Sequence, residues 1–342
     1  MSRVFIVDDS AFVRRAVTRV LATQPGFRVV GEAESGAEAL ARVPAADPDF
    51  VTLDVAMPGM DGLQVLPALL RWKPSLRVVM LSSHTREGAA ATVAALAAGA
   101  VDFIDKSTFN VMDLELLRRE VVDRLEALAP SAAAARANGG HAPSTVDHAA
   151  LADLRACQLC VIGASTGGPP AVQRILERLP ARFPLPIVVV QHMPAGFTEA
   201  FARRLDSLCR LRVSEAVEGR RLVPGQVVVA PGGRHLRVSP GLAVLLTPEP
   251  ATARHIPSID VTMRSAARSR PGRVLGVLLT GMGEDGADGL ATIRAGGGLT
   301  IAESEASCVV YGMPRAAVRR GAASLVLPLE EIAGLLGAID GG

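Results

Sequence analysis

Over residues 1–128 short apolar runs alternate with amphipathic stretches, a pattern that predicts five strand–helix units. The runs VFIV, FRVVG, FVTLD, RVVML and VDFI read as strands, and helices are expected over 11–23, 37–42, 62–71, 87–98 and 113–128. Five such units imply a doubly wound parallel sheet, whose ligands bind beyond the carboxyl ends of the strands.

The polar residues collect at those ends. Asp8 and Asp9 follow the first run, Asp54 ends the third, Ser82 ends the fourth and Lys106 follows the fifth. Three carboxylates brought together repel one another, so the set makes sense around a hard divalent cation, and Mg²⁺ suits oxygen ligands shared with a phosphoryl group. Any one of these residues reads equally well as a solvated surface group, but all five at strand ends read as one site.

From 129 to 150 the periodicity stops and Ala, Pro, Gly and Ser dominate, which predicts an interdomain linker with a short helical continuation open over 132–135. His141 and His148 fall inside it, with no cysteine or carboxylate cluster around them, and are expected to be exposed.

Beyond the linker, Cys160-Val161-Ile162 reads as the end of a buried strand. The small-residue turn Gly163-Ala164-Ser165-Thr166-Gly167 follows, leading to a helix over 171–179 that Pro169 or Pro170 can start. The run IVVVQH then leaves His192 at a second strand end, and VLGVLLT runs into GMGEDGADG, which puts Asp285 in a glycine-rich loop. A serine at a strand-to-helix turn exposes its hydroxyl beside backbone N–H groups that no strand or helix has used, where an oxyanion can be held. G-x-S-x-G is also the pattern of a nucleophile elbow. Ser, His and Asp on one sheet edge are what a nucleophile, its base and an orienting acid require. Spacing alone leaves rivals: Asp260, Glu284 and Asp288 for the acid, His235 and His255 for the base, and a helix N-cap as the role of Asp285. The order serine, histidine, acid excludes an α/β-hydrolase, whose acid lies between the other two.

A chain of 342 residues has room for about two domains at roughly 100–200 residues each. Lys plus Arg number 36 against 34 for Asp plus Glu, a balance that gives no electrostatic case for nucleic acid or an anionic membrane. The second half also lacks a helix-turn-helix with a basic recognition helix. The apolar run at 4–7 ends at once in Asp8-Asp9, too short for a signal peptide, and the alanine-rich run at 88–101 falls short of the roughly 18–20 residues a bilayer requires. A cytoplasmic protein is expected. Four cysteines are too few for a disulfide framework, and Cys157 and Cys160, if both on a strand, point to opposite faces and read as ordinary buried thiols.

The motifs VDDS, LDVAMPGMDG, LSSHTREGA and GAVDFIDK resemble a response-regulator receiver domain. The resemblance implies a flavodoxin-like fold in which Asp54 accepts a phosphoryl group. Asp8, Asp9, Asp54 and the backbone carbonyl of Ala56 then hold Mg²⁺, Ser82 and Lys106 contact the phosphoryl oxygens, and Phe103 is the aromatic switch residue. One departure stands out: the family lysine is usually followed by proline, whereas here Ser107 follows Lys106.

GASTGGP, QHMPAGFTEAFARRLD, PGQVVVAPGGRHL, PSIDVTMRSA, LTGMGEDGADG and YGMPRAA, spread over about 159–336, resemble the catalytic domain of the chemotaxis protein-glutamate methylesterases. The resemblance implies a Rossmann-like sheet with a β-hairpin insertion, so the fold class expected is α/β with two doubly wound parallel-sheet domains. It makes Ser165 the nucleophile, His192 the general base and then acid, Asp285 the group that orients His192, and the backbone at Thr166 and Met282 the oxyanion hole, with no cofactor for the ester chemistry. Family substrates are glutamate methyl esters on chemoreceptors, where some members also deamidate glutamine, and a chemotaxis histidine kinase supplies the phosphoryl group. Arg203 and Arg204 are candidates for gripping an acidic receptor surface, against the plainer reading of a solvated helix face. The expected organisation is a receiver over 1–128, a linker over 129–150 and an esterase over 151–342, in a monomer without nucleic-acid binding or membrane insertion. The resemblance also implies that the receiver covers the esterase cleft until Asp54 is phosphorylated. Two alternatives are a non-enzymatic regulator whose second domain only binds a partner, and an acyl hydrolase or amidase of other specificity.

Overall fold

The apolar runs form parallel strands covered on both faces, as their near-continuous hydrophobicity requires. A computed structural model describes residues 1–83, 85–108, 114–129 and 154–339, and the chain divides into two units on either side of residue 130. Apart from Ala129, the expected linker with His141 and His148 lies outside the described residues.

In the first unit, β1 (Ser2–Val7), β2 (Phe27–Ala33), β3 (Phe50–Asp54), β4 (Arg77–Ser82) and β5 (Asp102–Asp105) form one parallel sheet in the order β2-β1-β3-β4-β5. Phe5 and Phe50 are fully buried in its core, and each contributes roughly 1.5–3 kcal/mol by leaving water. Helices α1 (Ala11–Ala22), α2 (Gly36–Ala46), α3 (Gly62–Trp72) and α4 (Arg86–Ala97) start where Ser10, Ser35, Asp61 and Thr85 accept a first-turn amide. Helix α2 passes the expected stop at 42 because Pro44, near its end, forfeits only one backbone donor, and Asp47 then ends the helix in the left-handed region at φ 38°. The fifth expected helix is described from its second residue onward: α5 (Leu114–Arg118), a π-helical turn (Arg119–Asp123) and α6 (Arg124–Leu128).

The second unit carries a seven-stranded parallel sheet. Its strands are β6 (Leu159–Ala164), β7 (Ile187–Gln191), β8 (Arg212–Glu215), β9 (Gln226–Val229), β12 (Val274–Leu278), β13 (Leu299–Glu303) and β14 (Leu325–Leu327). They lie in the order β14-β13-β12-β6-β7-β9-β8. Strands β10 (His235–Val238) and β11 (Val244–Thr247) form the expected hairpin beside it. Among the described residues α7 (Gly168–Arg178), α8 (Phe197–Leu208), α9 (Ile259–Ser269), α10 (Ala287–Ala295) and α11 (Met313–Arg319) lie between these strands, and α12 (Leu329–Gly337) follows the last of them. The chain leaves β6 towards β7 on one side and later resumes at β12 on the other, so the topological switch point lies between β6 and β12.

Strand β6 runs on through Gly163 and Ala164, past the point where their small size predicts a turn. Ile259 packs onto the bare Gly163 backbone, and a Cβ there would lie 2.4 Å from Ile259 Cγ2. The glycine serves close packing of α9 on the strand. Cys157 precedes the strand, so the alternation argument for the cysteine pair does not apply. Both thiols are buried and neither is in a disulfide, and burial pushes the Cys160 thiol up. Among the described residues no helix is long and apolar enough to cross a membrane.

Candidate functional site

Ser165 is the first residue past β6, at the switch point, and its backbone is fixed on both sides. Its amide donates to Thr280 O (3.0 Å), and its carbonyl accepts from Gly168 N (2.8 Å) and Gln191 Nε2 (2.8 Å). Thr280 Oγ1 in turn donates to Thr166 O (2.9 Å). Gly167 takes φ +74° at the turn, a conformation that favours glycine. Gly281 lets the neighbouring loop approach, since a Cβ on it would sit 2.7 Å from Ser165 Cβ.

His192 follows β7, with its amide on Ala164 O (3.1 Å). Its Nδ1 lies 3.1 Å from Ser165 Oγ and its Nε2 2.8 Å from Asp285 Oδ2. An ionised carboxylate only accepts, so the ring proton belongs on Nε2 and the Nδ1 lone pair faces the serine hydroxyl. This is the tautomer a general base needs. Asp285 also accepts from Ser258 Oγ (2.9 Å), Ile259 N (2.8 Å) and Asp260 N (3.1 Å), at the start of α9. Burial opposes its charge, but the His192 contact and these amides outweigh burial and hold the carboxyl well below the usual carboxylate range.

The rivals lie elsewhere or do other work. Glu284 is exposed and paired with Arg320, and Asp288 is exposed between Arg264 (3.1 Å) and Arg320 (3.3 Å). His235 is fully buried, with Nδ1 accepting from Ser258 N (3.0 Å) and Nε2 donating to Pro250 O (3.2 Å), so both ring nitrogens serve the backbone. His255 stacks on His192, ring centroids 4.1 Å apart and planes 14° apart. The N-cap role considered for Asp285 at Gly286 belongs instead to Asp260, whose Oδ1 accepts from Gly286 N (3.0 Å) and Gly289 N (2.6 Å).

Of the two backbone groups considered for an oxyanion hole, the Met282 amide has no hydrogen-bond partner among the described residues, in a loop whose Gly281 carbonyl is pinned by Gly312 N (3.1 Å) and Met313 N (2.9 Å). Thr166 is buried beside the serine. A cleft of about 610 Å³ adjoins Asp285, lined among others by Arg254, His255, Ser258, Asp260 and Gly283. Arg203 is exposed and paired with Glu199 on α8 (2.9 Å), and Arg204 beside it is half-buried.

In the first unit Asp8, Asp9 and Asp54 each offer an oxygen, all within 4.8 Å of one another, at the ends of β1 and β3. Lys106 Nζ donates to Asp8 Oδ2 (2.9 Å) and lies 2.8 Å from Asp54 Oδ2, which is buried and receives no aligned hydrogen bond. Burial pushes Asp54 up to about 6 in spite of Lys106, and raises Asp8 as well. Three carboxylates facing one ammonium leave two negative charges uncompensated, so the donor set fits a hard divalent cation. Asp54 Oδ1 accepts from the Ala56 amide (3.3 Å), Ser82 ends β4 with its hydroxyl bonded to Thr92 (2.6 Å), and Phe103 is buried in β5. Ser107 donates its amide to Asp105 Oδ1 (2.9 Å), a bond that proline there would forbid, so the lysine loop is fixed by a different device.

Sequence reasoning missed Gln191 and Ser258. Gln191 is a polar residue closing the apolar run IVVV, and Ser258 sits in P-S-I-D just ahead of a helix, where a capping serine is expected.

Residues 160–336 match the model of the CheB methylesterase family, and residues 4–117 that of the response regulator receiver domain. A Myxococcus xanthus protein named protein-glutamate methylesterase/protein-glutamine glutaminase 5 is 46% identical over 339 residues, covering 98% of this chain and 97% of its own. A protein-glutamate methylesterase/protein-glutamine glutaminase from Lawsonia intracellularis is 42% identical over 354 residues, covering 97% and 98%. The crystal structure of the Thermotoga maritima CheB methylesterase catalytic domain superposes with a TM-score of 0.52 at 41% identity, over 53% of this chain and 97% of that one.

Proposed function

The chain belongs to the CheB methylesterase family with a receiver domain ahead of the esterase, and we propose that Ser165, His192 and Asp285 hydrolyse chemoreceptor glutamate methyl esters under control of Asp54 phosphorylation. The observation that carries the residue assignment is the continuous relay from Ser165 Oγ to His192 Nδ1 (3.1 Å) and from His192 Nε2 to Asp285 Oδ2 (2.8 Å).

Ser165 Oγ attacks the ester carbonyl while His192 Nδ1 takes its proton, and Asp285 stabilises the imidazolium that forms. The amides of Thr166 and Met282 receive the oxyanion. His192 returns the proton to the departing methoxide, methanol leaves, and water activated by the same nitrogen hydrolyses the acyl-enzyme to glutamate. A glutamine side chain follows the same path with ammonia as leaving group, in line with the glutaminase in the relatives' names. A partner-binding output without chemistry has no need of this relay.

In the receiver, Asp54 provides the carboxylate that accepts the phosphoryl group from a histidine kinase, and Ser82 and Lys106 receive the transferred oxygens. Bound Mg²⁺, held by Asp8, Asp9, Asp54 and the Ala56 carbonyl, supplies charge neutralisation for that transfer. A cytoplasmic setting, shared with the kinase, belongs to the same proposal.

A serine-directed fluorophosphonate tests the residue assignment. Peptide mapping is expected to find the label on Ser165, with labelling suppressed in His192→Ala. Labelling of another serine, or equal labelling in that variant, contradicts the assignment.

A further inference from the structure

Asp285 reaches His192 from a loop that lies between the starts of two helices. Helices α9 and α10 begin side by side, and each lends a carboxylate to the other's first turn. Asp285, in the loop before α10, accepts from Ile259 N (2.8 Å) and Asp260 N (3.1 Å) at the start of α9. Asp260, in the first turn of α9, accepts from Gly286 N (3.0 Å) and Gly289 N (2.6 Å) at the start of α10. Helix α9 also has its own cap, Ser258 Oγ on Val261 N (3.3 Å), but α10 has no side-chain cap at Gly286 and depends on Asp260.

Residues of α9 press closely on both glycines. Gly286 takes φ +94°, and a Cβ on it would lie 2.7 Å from Ile259 Cγ2; a Cβ on Gly289 would lie 2.7 Å from Met263 Cβ and 3.1 Å from Asp260 Cα. The loop bearing Asp285 is therefore pressed on α9 and tied there from both sides, by the bonds Asp285 accepts from Ser258, Ile259 and Asp260 and by Asp260 Oδ1 on the amides that follow it.

We infer that Asp260 is a positioning residue for the hydrolysis: by holding the Gly286 and Gly289 amides it sets the loop so that Asp285 meets His192 Nε2. The inference rests on the esterase reading. What Asp260 supplies is an acceptor oxygen, Oδ1, shared by the two amides. Burial raises its pKa against the Gly289 amide, Asp285 and Asp288 add repulsion, and Arg264 (3.8 Å) faces it with opposite sign. An asparagine keeps the acceptor and an alanine removes it.

Asp260→Ala and Asp260→Asn in the full chain separate this from the alternatives. Asp260→Ala is expected to lose about 100-fold in kcat, the scale of roughly 1 Å of misplacement, with KM within about twofold. The acid limb of kcat/KM is expected to move to lower pH as the imidazolium loses its carboxylate, His255 being the other titratable ring against it. The low-field proton resonance of the His192–Asp285 hydrogen bond is expected to vanish or shift upfield in Asp260→Ala. Asp260→Asn is expected to restore all three readouts. A merely structural Asp260 lowers Tm in the alanine variant and leaves kcat per folded molecule, the acid limb and the resonance unchanged, which overturns the inference. An Asp260 acting as the reaction's own acid leaves Asp260→Asn inactive, which also overturns it. The resonance is read without substrate, so it decides the inference even if the wild type releases no methanol, a failure that counts against the esterase reading alone.

Discussion

Asp285→Asn is the most informative single change at the triad, because the carboxylate is surrounded by donors alone. His192 Nε2, Ser258 Oγ, Ile259 N and Asp260 N all donate to it. An amide offers one oxygen and one NH₂, so either orientation fails somewhere. With NH₂ at the Oδ1 position it faces the Asp260 amide, donor against donor. With NH₂ at the Oδ2 position it faces Ile259 N and forces His192 into the tautomer that carries its proton on Nδ1, which abolishes the base. Removing the charge also removes the attraction to the transition-state imidazolium, about 4 kcal/mol for charge centres about 4 Å apart at an effective dielectric constant of about 20. That energy corresponds to roughly 10³-fold in rate, and serine hydrolases that lose this carboxylate to an amide fall by about 10⁴. Methanol release is therefore expected to drop by roughly 10³–10⁴ in kcat, with KM little changed. Stability carries a second signature. The folded carboxyl lies below its unfolded value, so its contribution is fully present above the ordinary aspartate pKa of about 3.9 and is lost as pH falls below it. The variant is expected to show a flatter fall of Tm below about pH 4. A variant within tenfold of wild-type kcat would refute the orienting role.

Three further outcomes follow from the same geometry. Gly281→Ala places a Cβ 2.7 Å from both Ser165 Cβ and Met313 Sδ, and is expected to cut kcat at least about tenfold by displacing Ser165, the proposed nucleophile; unchanged kcat at unchanged Tm would show the approach to be slack. His235→Ala removes a buried ring and its two backbone hydrogen bonds, and is expected to lower stability by roughly 2–4 kcal/mol in denaturant titration. The acid limb of kcat/KM should stay in place, and its disappearance would reinstate His235 as a base. Chelating Mg²⁺, or replacing Asp54 by Asn, is expected to abolish phosphodonor stimulation while leaving basal methanol release intact; stimulation that persists under either treatment contradicts the assignment of the acceptor site.

Period and punctuation carried most of the fold into view. The runs FVTLD and IVVVQ are apolar throughout because both faces of a parallel sheet are covered, so strands, order of elements and the edge on which chemistry gathers could be read directly. Boundaries were harder to read where packing outweighed local preference. Gly163 looks like a turn residue but belongs to β6, because Ile259 occupies the space its side chain would fill. Pro44 looks like a helix stop but falls late enough in α2 to be tolerated. At the site, the candidates Ser165, His192 and Asp285 were visible as strand-end residues, but the sequence offered no means of setting aside Asp260, His235 or His255. Their work depends on contacts between segments far apart in the chain, such as the bonds from Gly286 and Gly289 back to Asp260. Gln191 and Ser258 escaped notice for the same reason, since each acts on a partner that only folding brings near.

The central claim is that Ser165 is the nucleophile of a phosphorylation-controlled esterase. Methanol release from methylated chemoreceptor membranes tests it, comparing the intact chain with Ser165→Ala, each with and without Mg²⁺ and a small phosphodonor. The wild type is expected to release methanol faster with phosphodonor, and Ser165→Ala to fall by several powers of ten in every condition, since the members of a triad act as a unit. Near-normal release by Ser165→Ala, or release that ignores the phosphodonor, would contradict the account.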